Sequence, residues 1–175
     1  MRLLYILIPI VLLFSCSISE EEQIYIEEIS KLEQVLDSAA GHYFAIDTAQ
    51  LFKAYERINQ NLNQYNELDA IVDGNVITYA ALQKTFKRFI GEHTLIIDEI
   101  SYSKNQLHAF KKDIKNNKLS VDQIERYYDE EREAVGVLIH KLSFNAQNIN
   151  HQLASFSQLN DSVEIIIKRI ESSKK

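Results

Sequence analysis

The residues that could do chemistry in this chain are five histidines, one cysteine and the carboxylates around them. Helical bundles that hold two metal ions use Glu-x-x-His pairs on facing helices. Three residues before His42, His93, His108, His140 and His151 stand Ala39, Ile90, Asn105, Val137 and Asn148, so no such pair exists. There is no His-x-x-x-His spacing, no second cysteine for a cluster or an internal disulfide, and no glycine-rich loop to cradle a phosphate. A serine nucleophile would need an oriented base, and the local sequence supplies none. The chain therefore reads as non-catalytic, with no metal and no cofactor.

The elements that would position any site are helices. Tyr79, Leu82, Phe86, Phe89, His93, Ile96, Ile100, Ser103, Leu107, Phe110 and Ile114 follow steps of three and four without a break. Val121, Ile124, Tyr128, Glu131, Val135, Leu138, Leu142, Asn145 and Ile149 do the same, and Phe156, Leu159, Val163, Ile166 and Ile170 resume it. Such spacing is the seam of a heptad coiled coil or helical bundle. Two shorter stretches, Tyr25 to Ala39 and Leu51 to Tyr65, repeat it. Four helices are expected, at 20–40, 48–72, 76–115 and 121–172.

Caps agree with the seams. Ser120 with Gln123 is a capping box and Leu119 can staple onto Ile124; Asp47 with Gln50 repeats the device. Gly41 suits the end of the first helix and Asp73-Gly74-Asn75 the turn into the third. The fold class expected is all-α: an elongated antiparallel bundle or coiled coil of about four helices, the two C-terminal ones long. Ile24, Val35, Phe52 and Leu68 widen the apolar stripes, which favours four helices side by side over part of the rod.

Polar residues interrupt the seams. If Lys115-Asn116-Asn117-Lys118 joins the long helices, residues whose numbers add to about 235 face each other. Ser103 then lies near Glu131 or Arg132, Phe89 near Asn145 and His93 near Leu142. Together His93, Ser103, Glu131 and Asn145 are expected to form a polar core layer, read either as a ligand-binding layer or, in preference, as a device that fixes register at some cost in stability. Tyr128 lies on the seam, whereas Tyr102 and Tyr127 lie off it. The latter two are candidates for binding a partner, because exposed aromatics beside apolar surface make interface hot spots.

The first residues give an address. Met1-Arg2 precedes twelve apolar residues, Leu3 to Phe14, too few for the ~20 that span a bilayer and arranged like a secretory signal peptide. Leu13-Phe14-Ser15-Cys16 resembles the lipobox of bacterial lipoproteins. The resemblance implies that residues 1–15 are removed and that Cys16 is lipidated and becomes the mature N-terminus. The chains it adds exceed the two signals that stable anchoring takes. Ser19-Glu20-Glu21-Glu22 is similar to the serine-plus-acids signals that export lipoproteins to the outer face of the outer membrane in one Gram-negative phylum. These acids also suit a first helical turn. Asp37-Ser38-Ala39, Asp47-Thr48-Ala49 and Asp161-Ser162-Val163 look like O-glycosylation triplets of that phylum.

Without Arg2 the chain has 18 basic against 25 acidic residues, a net −7 that argues against nucleic acid and against charge-driven binding to anionic lipid. Residues 16–22 read as lipidated cysteine and short acidic tether, and residues 23–175 as one helical domain. Only Ser17 to about Ser19 separate anchor from first helix, a tether of ~10–25 Å. Two functions are expected from different classes. One is a non-catalytic scaffold, lipid-anchored at the bacterial outer membrane, that binds an envelope protein. The other is a bundle that carries a small apolar ligand. Heptad seams are also compatible with a homo-oligomer.

Overall fold

The computed structural model describes residues 18–68 and 73–174. These form α1 (Glu20–Phe44), α2 (Thr48–Glu67), α3 (Gly74–Lys115) and α4 (Val121–Ser173), an all-α fold with two long C-terminal helices. The segment 1–17, with Cys16, lies outside the described residues, as does the end expected for the second helix at 69–72.

Each start has a local cause. The Ser19 hydroxyl accepts from the Glu22 N–H at 3.2 Å while the Glu22 carboxylate accepts from the Ser19 N–H at 2.7 Å, a capping box. Asp47 caps α2 by accepting from the Gln50 N–H at 2.8 Å, and Asp73 caps α3 by accepting from the Asn75 N–H at 2.8 Å. At α4, Gln123 Oε1 accepts from the Ser120 N–H at 2.9 Å, and Leu119 packs onto the core beneath.

Gly41 does not end α1. The helix runs on to Phe44 because Ala40 and Tyr43, one turn apart, are both buried, and a break at Gly41 would pull Tyr43 out. The turn after α3 ends in a Schellman motif: the Asn117 N–H reaches the Ile114 carbonyl at 2.9 Å and the Lys118 N–H the Asp113 carbonyl at 3.1 Å. Asn117 carries the required left-handed backbone, φ 53°.

Packing departs from four helices abreast. Helices α1 and α2 each pack on α3 and α4 but not on one another. Along α1, Glu33 pairs with Lys111, Asp37 with Lys104 at 2.5 Å, and Tyr43 bonds His93; farther on, Asn59 of α2 bonds Gln83. The partners on α3 thus descend steadily. Those on α4 ascend, from Tyr128 beside Tyr25 to Glu164 beside Arg57 and Glu171 beside Gln64. So α1 and α2 lie end to end, separated by Ala45-Ile46-Asp47, and form one interrupted rail along the α3–α4 hairpin. The cross-section is three helices throughout. Ile24, Val35 and Phe52, which widened the stripes in sequence, are exposed at 57%, 52% and 47%, so no fourth helix is needed to cover the buried set.

That set is one continuous core running through Leu36, Tyr43, Leu51, Ile58, Phe86, Leu107, Ile124 and Leu142. Burying each such side chain contributes about 1.5–3 kcal/mol. Where Tyr25 meets Tyr128 the chain is six residues from Ser19 and eight from Ser120, so the start of α1 and the hairpin turn share one end of the rod.

Candidate interaction surface

The register of the hairpin decides which residues share its outer side. Glu99 and Lys141 form an ion pair at 2.6 Å, and the Phe110 and Tyr127 rings meet edge to face at 6.3 Å. Residues whose numbers add to about 239 therefore face each other, one helical turn beyond the 235 read from sequence. The chain spends Asn116 to Ser120 in crossing from α3 to α4, Leu119 and Ser120 lying past the polar turn, which moves the hairpin axis toward α4.

Four large apolar side chains flank that ion pair. Leu95 and Tyr102 lie one turn either side of Glu99, and Val137 and Phe144 one turn either side of Lys141. Their exposures are 66%, 64%, 64% and 55%. They stand level in pairs, Leu95 with Phe144 and Tyr102 with Val137. Glu99 bridges to α4 whereas Lys104 and Lys111 bridge to α1, so this face is the side of the hairpin turned away from α1. Toward the turn it continues into a shallow groove of about 170 Å³ lined by Gln106, Ala109, Phe110, Asp113, Tyr127 and Glu131, among others. These four side chains, with the ion pair between them, make up a band on this side of the hairpin, a candidate interaction surface.

Of the two tyrosines singled out from sequence, Tyr102 is exposed on the band, whereas Tyr127 packs against the core at the edge of the groove. The Tyr102 hydroxyl accepts from Gln106 Nε2 at 2.8 Å, which holds the ring along the helix surface. Tyr127 is half-buried, with the Arg126 guanidinium 4.9 Å over its ring. Cation–π contact and the Phe110 edge fix its orientation.

The four polar seam residues do not gather into one layer. His93 turns to α1, where its Nδ1 lies 2.8 Å from the Tyr43 hydroxyl. Asn145 donates to the Lys141 carbonyl of its own helix at 2.9 Å. Glu131 lines the groove, where burial first and the charge of Glu130 second raise its pKa above the ordinary carboxylate value. Ser103 is half-buried on α3.

A polar node that the sequence did not disclose lies instead between α2 and the hairpin. Asn61, 4% exposed, donates through Nδ2 to the Tyr79 hydroxyl at 3.0 Å and to Asn160 Oδ1 at 3.2 Å, and that hydroxyl donates to Asn160 Oδ1 at 2.7 Å. Asn160 Nδ2 then reaches Glu164, which also pairs with Arg57 at 2.7 Å. Burial opposes ionisation of Glu164, yet the bonds from Asn160 and Arg57 prevail and its pKa is lowered. The bonds from Asn61 and the Arg57–Glu164 pair tie α2 to a set height on α3 and α4.

Ser38, Thr48 and Ser162 of the three Asp-Ser/Thr triplets all lie in helices, and Asp47 is occupied as a cap. Among the described residues no three histidine, cysteine or acidic side chains converge as a metal would require, and no helix is long and apolar enough to cross a membrane. Comparison of the chain with protein-family models, with curated proteins and with solved structures finds no match.

Proposed function

We propose that this protein is a bacterial outer-membrane lipoprotein, anchored through Cys16, whose helical rod is a non-catalytic scaffold for envelope proteins. The observation that carries the reading is the apolar band on the outer side of the hairpin, where Leu95, Tyr102, Val137 and Phe144 stand exposed around one ion pair. Monomeric surfaces rarely keep such groups together unless something covers them. The leader ending in Leu13-Phe14-Ser15-Cys16 supports the anchor, and the Ser19–Glu22 capping box supports a short tether, because α1 begins four residues after Cys16.

Replacing Tyr102 by a photoreactive phenylalanine analogue and irradiating intact cells tests the scaffold reading. Crosslinked adducts from position 102, with none from Glu56 on the exposed side of α2, are expected. Equal yields from the two positions would overturn it. The anchor is tested separately by Cys16→Ser, which is expected to abolish palmitate labelling and to shift the protein out of the membrane fraction.

A further inference from the structure

We infer that the occupant of the apolar band is a second copy of this chain, docked in parallel about a two-fold axis that runs along the rod. The inference deepens the scaffold reading and rests on it for the shared orientation of the two anchors. Its ground is the pairing by height. A two-fold axis along the rod sets α3 of one copy against α4 of the other at unchanged level. Leu95 then meets the second copy's Phe144, and Tyr102 meets the second copy's Val137. Each contact occurs twice, so eight apolar side chains close over each other.

The charges follow the same rule. Asp113 and Arg126 stand level with each other near the hairpin turn, on the same side as the band. Asp113 already pairs with Lys118 at 2.8 Å, and Arg126 reaches Glu130 at 4.0 Å. In the parallel dimer Asp113 of one copy faces Arg126 of the other, again twice. A perpendicular axis would instead lay Leu95 over the second copy's Tyr102 and send the two N-termini to opposite ends. The parallel arrangement keeps both Cys16 residues at one end, as attachment to one membrane surface demands.

The size fits as well. Between the Arg88–His151 level and the Asp113–Arg126 level the face is about 38 Å long and two helices, about 20 Å, wide. That is close to the ~800 Å² per partner of a standard stable interface. Confinement by the lipid would raise the effective concentration of one copy near another.

The test uses two full-length chains, differently tagged and co-expressed, one carrying Leu95→Cys and the other Phe144→Cys, treated in cells with a short bismaleimide. A crosslinked heterodimer several-fold above the wild-type pair, whose sole cysteine is Cys16, is expected. A yield at the wild-type level, or a stronger product from Leu95→Cys with Tyr102→Cys, overturns the parallel dimer. Palmitate labelling of the same cells scores the anchor independently. Crosslinking without label would leave the dimer standing and refute the lipoprotein reading; label without crosslinking would do the reverse.

Discussion

The hydroxyl of Tyr43 lies 2.8 Å from Nδ1 of His93, with the two rings stacked at 5.5 Å, at the point where α1 gives way to α2. Tyr43 is fully buried, and burial first and the charge of Glu92 second push its pKa up to about 12, so its hydroxyl stays neutral. Because α1 and α2 do not touch, the joint is held by contacts to the hairpin, this bond and the packing of Tyr43 on Phe89 of α3 at 5.7 Å among them. Tyr43→Phe keeps the ring and removes the bond, and is expected to cost about 1 kcal/mol. Tyr43→Ala, which also leaves a cavity, is expected to cost about 3–5 kcal/mol. Urea unfolding of both variants separates the two contributions; equal losses would deny the bond any share.

The Asn61 node predicts a non-additive series. Asn61→Ala strips the Tyr79 hydroxyl and Asn160 of a partner inside the core and is expected to cost about 1–3 kcal/mol. Replacing all three together, Asn61→Leu, Tyr79→Phe and Asn160→Leu, is expected to recover most of that loss, because no polar group is left unpaired. The triple variant should then show faster amide exchange in α2, since nothing fixes its height on the hairpin. Protection equal to wild type would remove the node from the register argument.

Glu131 supplies a pH prediction. Its pKa is raised in the folded state, so the folded protein holds the proton more tightly than the unfolded chain does. Stability from this group is present below the unfolded carboxylate value and is lost as pH rises through the folded one. Glu131→Gln is therefore expected to raise the melting temperature at pH 7, and the gain should vanish below pH ~4. A gain that persists undiminished at low pH would show that packing, not charge, is responsible.

Asn145 is expected to be replaceable at a gain. Its side chain bonds back to the Lys141 carbonyl of its own helix, a contact that does nothing to tie helices together. Asn145→Leu should add roughly 0.5–1 kcal/mol through helix propensity and burial. A marked loss in chemical denaturation would restore the idea that it sets register.

Linear stacking of α1 and α2 predicts additivity. Leu36 and Ile58 are both fully buried, one in each helix, and lie about 30 Å apart along the rail. Leu36→Ala and Ile58→Ala should each cost about 2–5 kcal/mol. The double variant should equal their sum within about 0.5 kcal/mol. Strong coupling would mean that the two helices share a packing site.

The long hairpin was legible in the sequence because its threes and fours run unbroken from Tyr79 to Ile114 and from Val121 to Ile149, and because Ser120 and Gln123 mark its second start. The end-to-end placement of α1 and α2 was not. Periodicity shows which face of a helix is apolar but not which neighbour covers it, and Ile24, Val35 and Phe52 look in sequence like core and are surface. Asn61 was invisible for a related reason: Asn63 and Asn66 follow it, and only the fold separates the buried asparagine from those at the surface. The exposure of Tyr102 was legible because it steps off the seam, Tyr127 steps off it too yet packs on the core, and Leu95, Val137 and Phe144 gained a common side only once the Glu99–Lys141 pair set the two helices level.

The interrupted rail, α3 and α4 make three passes along the rod, an odd number, so the first described residue and the last lie at opposite ends. With 53 residues in α4, the chain finishes about 80 Å from where it starts. Whatever is joined to the tail beyond Lys174 is presented at the tip farthest from the start of α1. With the chain anchored at Cys16 as proposed, a reporter fused there would read the space one rod-length away from the lipid, and the same reporter placed in the 116–119 turn would read the membrane surface itself.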